Sequence, residues 1–449
     1  MDSVKGKIPE APHGWEKLKW IGPGLIWMIS AIATGELIFT PRIASLYGYT
    51  VLWALILAIF LKGLIAREIG RYAVVTGGSL LHGIKNLPGP KNWGVWLIIL
   101  PQLFVAVTTI AGMAGATGTA LILIFPGSFV FWGITALIVS VILVAFGKYK
   151  AVEWTSMVMT VIITIALIIA TGLIFPGVAI IIEGLLPQLP PDAELSELLP
   201  WLGFMMSGAA GLIWYSYWLS ARGYGAAKHT DPDNPEPVDF SKLNAEDRQN
   251  LTKWVTVMTW STTAAVTLVL IILIALMILG SQLLRPEGLV PEGPEVTRVL
   301  SLLLGGVWGE PGAWLLIVAS FFAFWSTIVA NLDGWGRMLS QGSVFIAGQF
   351  NAKGKLMSAK MYRNFYLFGL MGAIPIALFF IVPEPMTLLQ VAGIIEAIHI
   401  PFVALSVMYL NLRTLPEQLR PSRFVTALTF IAALFFIFFA AFYIYERFL

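Results

Sequence analysis

The chain has 449 residues, of which 58% are hydrophobic and only 12% are charged. A water-soluble domain carries about 25% charged residues. The composition therefore predicts a polytopic membrane protein and excludes a disordered or fibrous chain. The formal net charge of +3 argues against nucleic acid as a partner. Cysteine is absent from the sequence, which excludes disulfides, zinc–thiolate sites and iron–sulfur clusters.

Eleven apolar stretches are long enough to cross a bilayer, which takes about 20 residues in a helix. They lie at 21–47, 50–67, 94–125, 127–147, 152–176, 200–226, 252–280, 311–347, 362–382, 386–411 and 423–446. The polar linkers between them are too short to bury cores of their own, so we expect residues 1–449 to form one transmembrane domain. Residues 1–20 lack the pattern of a cleaved signal peptide, and we expect the first span to be retained.

Basic residues predict the orientation, because Lys and Arg are retained on the cytoplasmic side. If the N-terminus is inside, all but four of the 28 basic residues fall on the inner side. The four exceptions are Arg42, Arg285, Arg298 and Arg447. The sequence thus predicts a multi-pass protein of the cell (inner) membrane, with a cytoplasmic N-terminus and an external C-terminus.

Spans 1 and 6 are interrupted in their middle. Span 1 contains Thr34-Gly35-Glu36 followed by Pro41, and span 6 has Gly208 and Gly211 just before Trp214. A glycine in a helix interior costs about 1 kcal/mol relative to alanine. A carboxylate at the bilayer centre is costly unless it lines a cavity or finds a partner. These features predict unwound points that face a polar site, although glycines that only permit close helix packing are the alternative.

Two interrupted helices at matching places in two five-span halves predict an inverted repeat, with the substrate between the two breaks. Spans 1–5 would form repeat one at about 21–176, and spans 6–10 would form repeat two at about 200–411. Residues 423–446 would be an additional span.

Several motifs resemble a known family. They are Gly22-Pro23-Gly24, Tyr47-Gly48-Tyr49, the stretch from Arg71 to Gly77, Gly118-Thr119-Ala120 and Ile400-Pro401-Phe402. They make the chain similar, over nearly its whole length, to the Nramp (natural resistance-associated macrophage protein) metal-ion transporters. The resemblance implies an all-α LeuT-type fold of the APC superfamily, alternating access and secondary transport. The sequence shows no catalytic set, so we expect no enzymatic activity.

The signature residues of that family are replaced here. Its D-P-G-N motif in span 1 corresponds to Ala33, Thr34, Gly35 and Glu36, and its M-P-H motif in span 6 to Ile213, Trp214 and Tyr215. The span 3 carboxylates of the family have no counterpart, because residues 96–125 contain no ionisable side chain. Without a Met sulfur the site loses its soft ligand, and without the acids and the His the usual proton relay is missing. Proton-coupled transport of Mn²⁺ or Fe²⁺ therefore does not follow from the resemblance.

Glu36 is the strongest candidate for binding a cation, and the one side chain that we expect to ligate a metal. Around it we expect backbone carbonyls near Ala33 and Ile213, with Thr34, Gly35, Trp214, Tyr215 and Asn331 as further substrate-binding residues. Oxygen-only ligation favours Mg²⁺ or Mn²⁺. The alternative for Glu36 is a salt bridge with Lys62 of span 2, a residue that could instead snorkel to the headgroups.

Four other intramembrane residues are candidates for proton or ion coupling. One is Lys62. Asp333 is another, although a local pair with Arg337 four residues later is the simpler explanation. Glu396 and His399 share a face of span 10 and form either a proton-accepting pair or a structural hydrogen bond.

The sequence therefore predicts a secondary transporter of a cation. A transporter of an organic cation or amino acid is the first alternative, because aromatic faces such as that of Trp214 attract cations. The second is a sensor on a transporter scaffold that does not transport. We expect a monomer in the lipid bilayer, with a small cation or small molecule as its partner and no cofactor apart from a bound cation.

Overall fold

The structure, a computed structural model, describes residues 7–22, 24, 27, 32–147, 150–229, 237, 238, 240, 243–350, 358–382 and 384–448. For residues 32–35, 153 and 448 it describes only the backbone. Within these ranges the regular structure is entirely helical, as predicted.

The transmembrane helices follow the predicted spans closely. Their bounds are Leu52–Thr76 for span 2, Trp93–Leu121 for span 3, Phe129–Ala145 for span 4, Lys150–Leu173 for span 5, Ala245–Leu279 for span 7, Glu310–Phe350 for span 8, Ala359–Ile381 for span 9, Pro385–Thr414 for span 10 and Arg423–Phe448 for span 11. Shorter helices lie between them at Leu80–Lys85, Val178–Gly184 and Val296–Trp308. Span 2 extends further than predicted, to Thr76, and span 7 begins earlier, at Ala245.

Polar side chains mark where several helices begin. Ser128 accepts the Phe131 N–H at the start of span 4, and Ser358 accepts the Met361 N–H before span 9. Span 7 begins with a capping box between Asn244 and Asp247. These bonds satisfy backbone donors that the first helical turn leaves free.

Apolar side chains cover the outside of the bundle. Spans 5, 9 and 11 leave most of their length uncovered by protein, and exposed residues such as Ile165, Phe380 and Phe438 lie along them. An exposed apolar surface of this extent is a lipid-facing surface, so the chain spans a membrane. Span 6, by contrast, is buried along its middle, from Leu198 to Ser220, and lies inside the bundle.

Spans 1 and 6 are irregular, and so are span 9, which contains a π-helix at Tyr366–Ala373, and the end of span 7, which continues as a π-helix at Gly280–Leu284. Span 6 consists of two helices, Leu195–Phe204 and Ala209–Arg222, which we call 6a and 6b. The break between them, residues 205–208, contains Met206 at a φ of +63°. Span 1 contains a π-helix at Ile32–Phe39 followed by an α-helix at Thr40–Tyr47. π-Helices are rare and often occur at functional sites.

The two ends of span 7 define two opposite faces of the bundle. At its start, Asp247 accepts the backbone N–H of Ile8, so the N-terminal segment lies there. Near its end, Gly280 packs against Ala44 after the π-helix of span 1. The 35-residue helix is about 52 Å long at 1.5 Å per residue. We call the first end the N-terminal face and the second the opposite face.

Candidate functional site

The break in span 6 exposes backbone groups in the middle of the bundle. A helix leaves its last carbonyls and its first N–H groups without intrahelical partners. Here helix 6a ends at Phe204 and helix 6b starts at Ala209, so both kinds of free group lie together. Because the break and the helix ends beside it are buried, other protein groups must satisfy them.

Lys62 of span 2 binds the free carbonyls of the break. Its side chain is fully buried, with 0% exposure. The Nζ atom donates to the carbonyl oxygens of Gly203, Met205 and Ser207 at 2.7, 2.7 and 2.8 Å. The expectation that Lys62 snorkels to the headgroups is therefore wrong, because the break of span 6 offers it three acceptors inside the bundle.

Glu36 of span 1 faces the same break. Its Oε1 accepts the backbone N–H of Met206 at 2.8 Å, and the residue is 0% exposed. Its Oε2 has no hydrogen-bond partner among the described residues. Glu36 and Lys62 do not form an ion pair within 4 Å in the described part of the chain, since each binds a different backbone group of the break.

Glu396 of span 10 lies at the start of helix 6b. Its Oε2 accepts the N–H of Ala210 at 3.1 Å, and Gln102 of span 3 lies beside the carboxylate. Gly208 allows this approach, because a Cβ at that position would be 2.5 Å from the Cδ of Glu396. We call Glu36, Lys62 and Glu396 the central cluster.

The charges of the central cluster match the dipoles of the two half-helices. A helix carries partial negative charge at its C-terminus and partial positive charge at its N-terminus. The ammonium of Lys62 lies at the C-terminus of 6a, and the carboxylate of Glu396 lies at the N-terminus of 6b. Three spans thus bring three ionisable groups to one point, and the break is a polar site inside the membrane domain.

The predicted residues of span 6 lie beyond the break rather than in it. Ile213, Trp214 and Tyr215 are in the regular helix 6b, and the Ile213 carbonyl accepts the hydroxyl of Ser216 at 2.6 Å. The expected free carbonyl near Ile213 is therefore replaced by those of residues 203, 205 and 207.

The aromatic rings of helix 6b are packed inside the protein. Trp214 contacts Trp335 edge to face at 4.9 Å and fills the space beside Gly334 of span 8. The hydroxyl of Tyr215 lies 2.8 Å from that of Thr262. Asn331 is buried one turn before Trp335 on span 8 and so shares its face.

The predicted residues of span 1 are described in part. The backbone of Ala33, Thr34 and Gly35 belongs to the π-helix, whereas their side chains lie outside the described part of the structure.

The remaining coupling candidates lie apart from one another. Asp333 binds Arg337, as the local spacing predicted, and also Arg363 of span 9, each at 2.9 Å. The Nδ1 of His399 has no partner among the described residues. Glu396 instead accepts a hydrogen bond from helix 6b. Within the described ranges it forms neither an ion pair nor a hydrogen bond with His399.

The described residues do not include a cluster of three or more His, Cys, Asp or Glu side chains that could hold a metal ion. An ion at the break would therefore depend on the Glu36 carboxylate together with backbone oxygens other than the three that Lys62 binds.

The helical membrane bundle, the broken span 6 and the polar site at its break define a LeuT-type transporter fold. The family model "Natural resistance-associated macrophage protein-like" matches residues 24–446, and the chain belongs to this Nramp family, as the motifs had indicated.

Two curated relatives are divalent metal cation transporters named MntH. The one from Nostoc is 24% identical over 188 residues, which is 40% of this chain and 41% of the relative. The one from Chromohalobacter salexigens is 28% identical over 116 residues, 26% of each chain. The matched stretches thus span at most about two-fifths of these relatives.

Solved structures resemble the whole fold. A manganese transporter of Eremococcus coleocola superposes with a TM-score of 0.70 at 15% identity, covering 98% of this chain and 89% of that one. Mhp1, a nucleobase-cation-symport-1 family transporter, gives a TM-score of 0.54 at 14% identity, covering 99% and 97%. At such identities the likeness concerns the fold. All of these relatives are transporters rather than enzymes, in agreement with the expectation from the sequence.

Proposed function

We propose that the protein is a secondary transporter of a cation, and that a divalent metal ion is its substrate. The names of the relatives support a metal ion, since the two curated ones are divalent metal cation transporters and a structural neighbour is a manganese transporter. In this proposal Glu36 is the side chain that binds the ion in the membrane.

The free carboxylate oxygen of Glu36 carries the proposal. One oxygen is held by Met206, and the other is buried without a partner among the described residues. An unsatisfied buried polar atom is costly, and a charged one more so. A cation at Oε2 removes this cost. The central cluster favours such a cation, because its two carboxylates exceed its one ammonium by one negative charge when all three are ionised.

The available ligands favour a hard metal ion. Ile213 stands where the family has its Met sulfur, so the site offers carboxylate and backbone oxygens, which suit Mg²⁺ or Mn²⁺. The aromatic residues Trp214 and Tyr215 pack against spans 8 and 7, and this packing accounts for them without an organic cation. We therefore place the metal ahead of an organic cation or an amino acid.

Uptake into proteoliposomes tests the proposal. Mn²⁺ and Mg²⁺ uptake would be measured with internal pH followed in parallel, for the wild type and for Glu36→Gln. Glu183→Gln is the matched control, because Glu183 is exposed on the short helix Val178–Gly184. We expect saturable uptake that Glu36→Gln abolishes and Glu183→Gln leaves intact. Uptake that is unchanged in a folded Glu36→Gln protein would contradict the role of Glu36.

Absence of metal uptake by folded wild-type protein would contradict the metal substrate. The same vesicles would then be tested with organic amines and amino acids, for which Trp214→Ala is the informative variant. Failure of every substrate would favour a sensor that does not transport.

We further propose that the N-terminal face is cytoplasmic, on the basis of the basic residues. Because the sequence has no cysteine, a single introduced cysteine is a unique label. A cysteine replacing exposed Lys19 on the N-terminal side should resist a membrane-impermeant thiol reagent in intact cells, whereas one replacing Glu446 should react.

A further inference from the structure

Lys62 has an environment that its place in the sequence does not suggest. It is the eleventh residue of the 25-residue helix of span 2, with apolar neighbours on both sides and no exposed surface. A charged side chain at such a depth is costly unless its donors are satisfied. The structure satisfies all of them with backbone oxygens and not with a carboxylate partner.

The hydrogen-bond geometry of Lys62 fits an ammonium. The Nζ atom donates to three carbonyl oxygens, and a carbonyl can only accept. Three donated bonds require three hydrogens on nitrogen, and an ammonium has three whereas a neutral amine has two. The three contacts of Nζ therefore match the three N–H donors of an ammonium.

The three carbonyls form an arrangement suited to a cation. They come from the last turn of helix 6a and from the break that follows it, at the negative end of the half-helix dipole. Unwound carbonyls and half-helix C-termini are the groups that coordinate Na⁺ or H⁺ in transporters with broken helices. In this chain those groups are held by a side chain of the protein itself.

Each element packed around the ammonium adds to this arrangement. Glu36 of span 1 and Glu396 of span 10 are the carboxylates whose charges act on Lys62. The ring of Phe436 of span 11 lies with its centroid 5.6 Å from Nζ, and an aromatic face at this distance attracts a cation.

We propose that the Lys62 ammonium is a tethered resident cation, which fills the carbonyl site at the break of span 6 so that this site takes no dissociable monovalent cation. The site itself, once the side chain is removed, would accept a primary alkylammonium ion. Resting on the proposed transport function, the same arrangement implies that substrate uptake depends on neither Na⁺ nor K⁺.

Side-chain truncation with chemical rescue tests the site. In Lys62→Ala the missing atoms correspond to propylammonium, so this ion should raise the thermal unfolding midpoint of the detergent-solubilised variant, with a saturable dependence on concentration. Lys62→Met is the matched control, since methionine fills the apolar part of the space without a charge. Neither Lys62→Met nor the wild type should respond, and tetramethylammonium, which has no N–H donor, should stabilise none of the three.

Several outcomes would overturn the proposal. One is a Lys62→Ala protein that propylammonium does not stabilise, and another is an equal response of Lys62→Met or of the wild type. If Lys62→Ala fails to fold even when expressed and purified with propylammonium, the ion dependence of uptake by the wild type still tests the proposal. When choline replaces Na⁺ and K⁺, the uptake rate of the wild type should change by no more than about twofold, which is less than 0.5 kcal/mol in the activation barrier. A steep dependence of uptake on either ion would contradict a permanently filled site.

These readouts separate the two proposals. Rescue of Lys62→Ala by propylammonium does not require transport, so it would stand even if the wild type moved no metal. Conversely, suppose that metal uptake requires Na⁺ and that propylammonium does not stabilise Lys62→Ala. The proposed transport function would then stand, and the proposal of a resident cation would be refuted.

Discussion

The guanidinium of Arg42 and the carboxylate of Glu197 form a bidentate ion pair, in which Nε and Nη2 each donate at 2.8 Å to one oxygen. The pair joins span 1 to helix 6a, and Gln390 of span 10 adds a bond of 3.0 Å to Glu197. The side chains of Arg42 and Glu197 are only 11% and 13% exposed. We call these three residues the outer clamp.

The outer clamp and the central cluster use the same spans. Span 1 supplies Glu36 and Arg42, and span 10 supplies Glu396 and Gln390. In both spans the residue of the clamp lies six positions from the residue of the central cluster, which is about 9 Å along a helix. The clamp therefore holds spans 1, 6 and 10 together between the central cluster and the opposite face.

Breaking one side of the clamp should cost more than removing both sides together. Arg42→Gln leaves the Glu197 carboxylate without its charged partner in a mostly buried place, at a cost of about 3 kcal/mol. Glu197→Gln leaves Arg42 with the exposed Glu292 at 3.4 Å and should cost less. The double variant lacks both charges and should lose much less than the sum of the two. Unfolding of the detergent-solubilised variants measures this. Arg298→Gln, whose partner Glu295 is 61% exposed, is the control and should cost less than about 1 kcal/mol.

Loss of the clamp should also open the central cluster toward the opposite face. A cysteine introduced at buried Ala210, beside Glu396, would report on access, because the sequence contains no other cysteine. With the opposite face external, as we propose, a membrane-impermeant thiol reagent added to cells should label this cysteine at least about tenfold faster when Arg42→Gln is also present, which is 1.4 kcal/mol in an opening equilibrium. Equal labelling rates in the two backgrounds would show that the clamp does not close this route.

Gly208 should not tolerate a methyl group. Its φ of −76° is open to any residue, so the effect of Gly208→Ala is purely steric and pushes the Glu396 carboxylate away from Ala210. Overpacking together with loss of a charge-assisted hydrogen bond should cost at least about 2 kcal/mol. Gly172→Ala in span 5, where a Cβ meets no atom within 4 Å, should be neutral or stabilising by up to about 1 kcal/mol. Similar losses in the two variants would argue against this account.

Replacement of Asp333 should lower the stability of the folded protein without changing how uptake depends on pH. Both of its oxygens are used, one by Arg337 and one by Arg363, so Asp333→Asn removes a buried carboxylate charge that two guanidinium groups share. We expect a loss of about 3 kcal/mol, with the pH profile of uptake unchanged in shape. A shifted profile in a stable Asp333→Asn protein would instead make Asp333 part of a proton route.

Features with a local cause could be predicted from the sequence. The spans follow from hydropathy, and the Asp333–Arg337 pair follows from four-residue spacing on one helix. Glu36 stood out because a carboxylate within an apolar stretch is costly. Each of these inferences needs only the residues next to the feature itself.

Features that depend on distant contacts could not be predicted. The three carbonyl acceptors of Lys62 are 141 to 145 residues away along the chain, and no local sequence pattern indicates them. The glycines Gly208 and Gly211 pointed to the break, yet the residue at positive φ is Met206, which is uncommon for a residue other than glycine. The free carbonyls were expected near Ile213, the position that matches the family's span 6 motif, whereas those bound by Lys62 belong to residues 203, 205 and 207.

Removing the charge of Glu36 should abolish the stabilisation of the protein by added metal ions. In metal-free buffer the wild type buries a carboxylate oxygen that has no partner among the described residues, so Glu36→Gln should be as stable as the wild type or more stable. Added Mn²⁺ or Mg²⁺ should raise the unfolding midpoint of the wild type, because a ligand that binds only the folded state stabilises it. Glu36→Gln should show no such rise, whereas Glu183→Gln should behave as the wild type. A metal-induced rise of equal size in Glu36→Gln would place the ion elsewhere, and a strong loss of stability in metal-free buffer would mean that the carboxylate is a structural partner of Met206 and not a ligand.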